Sequence, residues 1–241
     1  MTLNMFKIPG KFLLSQMSHS KFTFHLQCFA LNFVSNLPKH ILADKGDTVL
    51  AAGVWRVETV EDWVDAVGPD GEVFVVEAEP QNVEILRVEK ERRNWENVTI
   101  LHRAVWNDSE EIEFLVSTNS AINRISSAET FVPDHPPEEY RERVPVQADT
   151  IDTIIEDASA GDVDLVFTQI SGAEIEAVEG MEETLRQPDI RVWMRATQPL
   201  EDEDTAANEK IATMLQERGL TVCHGKHEPD RYGGNVYAAR L

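Results

Sequence analysis

The chain has 241 residues, enough for one large α/β domain with a full core and too few for two generous ones. Its formal net charge is −21, and all 43 acidic residues fall from Asp44 onward; so acidic a body repels phosphate backbones and argues against nucleic acid as a partner. Two cysteines far apart, Cys28 and Cys223, make neither a disulfide framework nor a metal spacing, and read as small buried hydrophobes in a reducing, cytoplasmic compartment.

Residues 1–43 hold Lys7, Lys11, Lys21 and Lys39 and no acid, and form a basic, aromatic amino-terminal helical extension. Phe22, Leu26, Phe29, Ala30, Phe33, Val34 and Leu37 recur on one helical face, which Pro38 ends. Lys21, His25 and Gln27 interrupt the pattern too often for a bilayer span, and no apolar core typical of a secretory signal is present. Two roles stay open: a helix that caps the sheet or covers a cleft, or a face resting on an anionic membrane at the inner side, near a lipid-linked substrate.

The domain proper, residues 44–241, opens with a β-α-β unit. Thr48 to Ala52 is a short apolar run that Gly53 stops. Val57, Val60, Trp63, Val64 and Val67 follow at three- and four-residue steps, and Val73 to Val76 closes on Glu77. A glycine after the first strand and an acid at the tip of the second are the nucleotide half-site of doubly wound sheets. Glu77 comes 24 residues after Gly53, close to the usual ~20. Val54, Trp55, Arg56 and Val57 crowd the turn where a pyrophosphate would need glycines, so a phosphate-free nucleoside such as S-adenosylmethionine fits better. The plainer reading is a strand-to-helix turn of any parallel sheet with a solvated acid beside it.

Further along, Val83, Leu86, Val88 and Trp95 continue a helix, Asn97 to Leu101 is a third strand, and Glu111 to Val116 a short one. Residues 117–143 show neither period and read as a long irregular loop insertion. Val144 to Val146 precedes a helix capped by Asp149 or Thr150, with Ile151, Ile154 and Ile155 inward. Val163 to Phe167 is a buried strand, followed by a helix bearing Ile175, Val178, Met181 and Leu185 and by a strand at Ile190 to Met194. Glu201 to Gly219 is a helix, and Leu220 to Cys223 and Asn235 to Ala238 end the chain as strands. The fold class is α/β, a doubly wound, mostly parallel sheet with an antiparallel last strand.

Several stretches together resemble the FkbM family of S-adenosylmethionine-dependent methyltransferases, which have a class I Rossmann-like fold. Residues 46–59, GDTVLAAGVWRVET, are similar to the opening GDxVxDxGAxxGxxT. Val76-Glu-Ala-Glu-Pro-Gln-Asn82 matches FEPxPxN, and Glu96 to Asp108 follows DNVTLxNxAxxD. Val163 to Met181 follows VDxIKIDVEGAExxVLxGM, and Gly234 to Ala238 fits the closing strand. The resemblance implies O-methyl transfer to a sugar, glycan or other small-molecule hydroxyl. It implies cofactor contacts at Ala52, Gly53, Val54 and Trp55 after the first strand, Glu77 and Ala78 after the second, Ala104 after the third, and Gln169 after the Val163–Phe167 strand. Ala51, Val57, Gln169 and Ser171 depart from the family pattern, where it has aspartate, glycine, aspartate and glutamate. A divergent enzyme and a non-catalytic binding or scaffold protein built on the same fold both follow from that.

Transfer to a hydroxyl needs a group that accepts its proton. His102, His224 and His227 sit near strand ends and are the candidate bases, set against the commoner reading of hydrogen-bonded or surface histidines. Arg124 and Arg141 flank the insertion, where a forked guanidinium suits a uronic acid carboxylate or a salt bridge to a neighbouring acid. His224, His227, Glu228 and Asp230 show no tetrahedral ligand spacing, and no metal is expected. The dense carboxylates read as the surface of a halophile protein kept soluble in concentrated salt.

Overall fold

Strand β1 (Thr48–Ala52) is apolar on both faces because it lies at the middle of a sheet covered on both sides. Val49 and Ala51 point to one cluster with Trp63, Phe167, Trp193 and Tyr237. Leu50 and Ala52 point to the other, with Val166, Val178 and Ile211. This period-two division sets the architecture of the computed structural model, which describes residues 21–31, 39–119, 123–127, 140–196, 207–224 and 234–241. The expectations for Phe33, Val34, Leu37 and Pro38, for most of the insertion, and for His227, Glu228 and Asp230 fall outside these residues.

In chain order the described elements are helices α1 (Lys21–Leu31) and α2 (Lys39–Leu42), β1, α3 (Val57–Val67), β2 (Glu72–Glu77), α4 (Pro80–Arg93), β3 (Val98–His102), β4 (Ala104–Val105), β5 (Glu110–Ser117), β6 (Arg124–Ile125) and β7 (Tyr140–Asp149). Then come α5 (Ile151–Ala158), β8 (Leu165–Thr168), α6 (Glu174–Glu179), β9 (Arg191–Ala196), α7 (Ala207–Glu217), β10 (Thr221–His224) and β11 (Gly234–Ala239). The main sheet runs β10-β11-β9-β8-β1-β2-β3. All its neighbours are parallel except β11, which lies antiparallel between β9 and β10. The doubly wound sheet and the reversed last strand are as the sequence predicts.

A second sheet, β4-β7-β5-β6, includes the short strand expected at Glu111 to Val116 as β5, while β6 and the first residues of β7, 140–143, fall in the stretch 117–143 that reads as an irregular insertion. β5 and β7 pair antiparallel from Glu110/Ala148 to Ser117/Tyr140. β7 is hard to see in the sequence because only Val146, Ala148 and Asp149 are buried, while Arg141, Glu142 and Arg143 face solvent and Pro145 interrupts the run. Pro145 is tolerated because β4 pairs with β7 only at Ala148 and Asp149, leaving no donor needed on that side among the described residues.

Three further expectations are corrected. Cys28 and Cys223 form a disulfide that ties α1 to β10, across a sequence separation of 195 residues. The fold folds back to bring them together, so spacing could not reveal the pair, and it removes the cysteine-based ground for a reducing compartment. Leu26 and Phe29, placed by the spacing on the one apolar face of this helix, are 39% and 66% exposed; α1 instead buries Thr23 and Phe24, whose ring stacks on Tyr237 at 5.1 Å. Trp95, read as part of the same helix as Val83, Leu86 and Val88, lies beyond the end of α4 at Arg93; Val83 and Leu86 are buried on that helix and Val88 is exposed. For α5 the cap is Thr150, whose hydroxyl accepts from Thr153 N at 3.0 Å. Among the described residues no helix is long and apolar enough to cross a membrane.

Candidate functional site

The carboxyl ends of β1, β2, β3 and β8 share one edge of the sheet, and each strand leads there into a turn. Gly53 sits at the centre with φ +75°, and a Cβ on it would come within 2.0 Å of the Gln169 carbonyl oxygen. Glycine is therefore required for the β1 and β8 turns to touch. The second turn is held from below by Glu174, whose buried carboxylate accepts from Ile170 N at 3.1 Å and Gly172 N at 2.9 Å. These bonds fix Ser171 at φ 52°, an uncommon conformation for a residue with a side chain. Burial pushes the Glu174 carboxyl up to about 7, against the pull of those two donors.

A cavity of about 50 Å³ opens beside Gly53. Glu77 and Ala78 form one wall, Gln169 and Ile170 another, and Phe114, Asn123 and Ile125 of the second sheet form a roof. Glu77 is buried and accepts from Glu79 N at 2.9 Å and Asn82 Nδ2 at 3.4 Å through Oε1. Burial raises its carboxyl to about 7. Glu79 links this wall to the roof: its Oε2 accepts from Asn123 Nδ2 at 2.6 Å and its Oε1 from Arg141 Nη2 at 3.1 Å.

A second cavity, of about 370 Å³, lies on the other side of the same turn and shares Gly53, Trp55 and Gln169 with the first. Lys39, Asp62 and Arg195 line it. The Lys39 ammonium sits 4.6, 4.5 and 4.2 Å from the ring centres of Trp63, Phe167 and Trp193. Burial lowers its pKa to about 8, partly offset by the charge of Asp62. Arg195 Nη1 donates to Gln169 Oε1 at 3.0 Å.

Seven of the eight positions expected at a cofactor, Ala52, Gly53, Trp55, Glu77, Ala78, Ala104 and Gln169, line the first cavity, and Val54 lines the second. The candidate bases do not converge. His102 ends β3, where Nε2 lies 3.2 Å from the Ala78 carbonyl oxygen. His224 is exposed at the end of β10, four strand spacings or roughly 19 Å from β1. His227 lies outside the described residues. Arg141 is engaged with Glu79 and Gln81, and Arg124 stands 5.9 Å over the Tyr140 ring. Sequence reasoning missed the roof, because Phe114 and Ile125 belong to a sheet it did not foresee. It missed Lys39 and Arg195 as well, although an arginine near the carboxyl end of an otherwise apolar strand is a readable signal. Among the described residues no cluster suited to a metal ion occurs.

Residues 40–221 match the family model described as the methyltransferase FkbM domain. The chain belongs to this family. A crystal structure of methyltransferase FkbM from Methylobacillus flagellatus has the same fold, with a TM-score of 0.54 at 14% identity. The match covers 95% of this chain and 58% of that one, so the present chain spans under two thirds of that relative's length. Fibrillarin from Aeropyrum pernix, solved with natively bound S-adenosyl-L-methionine, matches at TM-score 0.50 and 16% identity, covering 89% of this chain and 74% of its own. No curated protein matches the sequence. At these identities the likeness is one of fold, and the family rests on the matched FkbM domain. Lys39 lies just outside the matched span.

Proposed function

We propose that this FkbM-domain chain is an S-adenosylmethionine-dependent O-methyltransferase acting on a sugar or glycan hydroxyl. The observation that carries the reading is the buried Glu77 at the tip of β2, facing the cavity beside Gly53. A carboxylate there accepts hydrogen bonds from two ribose hydroxyls, and Val76, Ala104 and Val105 offer apolar surface to a purine. The residue types fit the nucleoside. The space beside Gly53, about 50 Å³, is smaller than the ~300 Å³ at the low end of ligand pockets.

S-adenosylmethionine supplies an electrophilic methyl carbon on a sulfonium. The chain's residues supply position: Glu77 fixes the ribose, the Gly53 turn lets the ligand lie against the backbone, and Gln169 stands between the two cavities. The acceptor hydroxyl enters from the second cavity, where a carboxylate, Asp62, is available to take its proton. Calorimetry with S-adenosylhomocysteine tests the reading. Binding in the micromolar range, lost in Glu77→Ala with the fold intact, is expected; no heat at millimolar ligand refutes it.

The second reading, a non-catalytic binding or scaffold protein, draws on Ala51, which is fully buried and leaves no acid at the end of β1. Loss of ligand binding in a folded Glu77→Ala variant counts against it. We further propose that the chain works in a salt-rich cytoplasm, and that α1, with Leu26 and Phe29 exposed, touches an anionic membrane presenting a lipid-linked acceptor. Flotation with anionic liposomes checks the last point: Leu26→Ser together with Phe29→Ser should abolish it.

A further inference from the structure

The second cavity is basic in an otherwise acidic protein. Lys39 reaches it from α2, Arg195 from β9 and the exposed Arg56 from the turn before α3, against one acid, Asp62, on α3. Arg56 pairs with Glu58 at 3.8 Å, whereas Lys39 and Arg195 are partly buried and fixed. The rings of Trp63, Phe167 and Trp193 surround the Lys39 ammonium and orient it without neutralising it. The Gln169 amide oxygen holds the Arg195 guanidinium through one nitrogen. Among the described residues neither Lys39 nor Arg195 forms an ion pair. Two partly buried cations facing one carboxylate carry an excess positive charge, which is costly away from water unless an anion joins them. Their separate elements and different geometries, a point charge and a planar fork, suit an oxygen anion.

We propose that this cavity binds a carboxylate lying next to the reacting centre, with Lys39 and Arg195 as its ligands. The proposal rests on the methyltransferase reading for what occupies the neighbouring cavity. The carboxylate is that of an acidic sugar acceptor of the uronate class; the amino-acid end of the cofactor is the other source, which the test separates from it. The acid-binding role expected of Arg124 and Arg141 thus passes to a pair that faces a cavity of sufficient size. Gln169 becomes a positioning residue, since it holds Arg195 from the turn that both cavities share.

The test uses the full chain and the variants Lys39→Met and Arg195→Met, with circular dichroism confirming the fold. Probes are glucuronate, glucose, S-adenosylhomocysteine and 5′-methylthioadenosine, which lacks the amino-acid carboxylate. If the acceptor is the source, wild-type protein holding S-adenosylhomocysteine binds glucuronate at least tenfold more tightly than glucose, and Arg195→Met removes the preference. If Arg195→Met instead weakens S-adenosylhomocysteine at least tenfold, leaves 5′-methylthioadenosine unchanged, and wild-type protein shows no preference for glucuronate, the cations serve the cofactor's own amino-acid end and the proposal is overturned. Folded variants that leave glucuronate binding unchanged overturn it as well. Failure of wild-type protein to bind either nucleoside refutes the methyltransferase reading alone; glucuronate preference then still decides the anion site, for it if present and against it if absent.

Discussion

Glu77 carries the sharpest expectation at the level of single residues. Its carboxyl titrates near 7 in the folded chain and in the ordinary carboxylate range when unfolded, because burial disfavours the charged form. The native state therefore binds more protons between those values, and stability falls as pH rises from about 4.5 through 7. Glu174 adds a contribution of the same sign. Chemical denaturation at pH 5 and pH 8 should show the decline, and Glu77→Gln should flatten part of it. Ligand binding runs the other way, since ribose hydroxyls donate best to the ionised acid. S-adenosylhomocysteine should bind more tightly at pH 8 than at pH 6, with the difference lost in Glu77→Gln. Replacing Glu174 by Ala orphans two amides of the β8 turn and should cost about 1–3 kcal/mol, measured by urea midpoint. Glu77 and Gly53 were legible because their spacing expresses one design; Lys39 was not, since nothing in a sequence shows three rings from α3, β8 and β9 closing around one ammonium.

Among the elements, those with one strong period were legible and those held by distant partners were not. α3 and α5 present clear apolar faces and fall where the spacing puts them. In α1 the spacing picks out the face of Leu26 and Phe29, yet the buried ring is Phe24, off that face; Tyr237 and Cys223, about two hundred residues away, make the choice. Phe24→Ala should therefore cost about 3–5 kcal/mol, while Leu26→Ala should stay within about 0.5 kcal/mol, by thermal denaturation. Cys28→Ser should lower stability by about 2–4 kcal/mol in oxidised protein and by far less once a reductant has opened the bond. The second sheet was only half legible, because β7 alternates weakly and is broken by Pro145.

For the molecule as a whole, the excess of 43 acids over 22 bases sets a self-repulsion that salt relieves. At 1 M salt the screening length is about 3 Å, shorter than the spacing of neighbouring surface charges. Thermal stability should rise steadily from 0.1 to 2 M KCl; a flat profile would remove the halophile reading. The position of β11 has a consequence for how the chain assembles. β10 is made first yet has no neighbour of its own, because β11 must slide between it and β9. Until Gly234–Ala239 has been synthesised, β9 presents a bare edge of unpaired amides and carbonyls. A nascent chain halted before Gly234 is thus an open sheet, prone to pair with its neighbours on the ribosome, and native structure on this side of the molecule comes late, in a single closing step of high contact order.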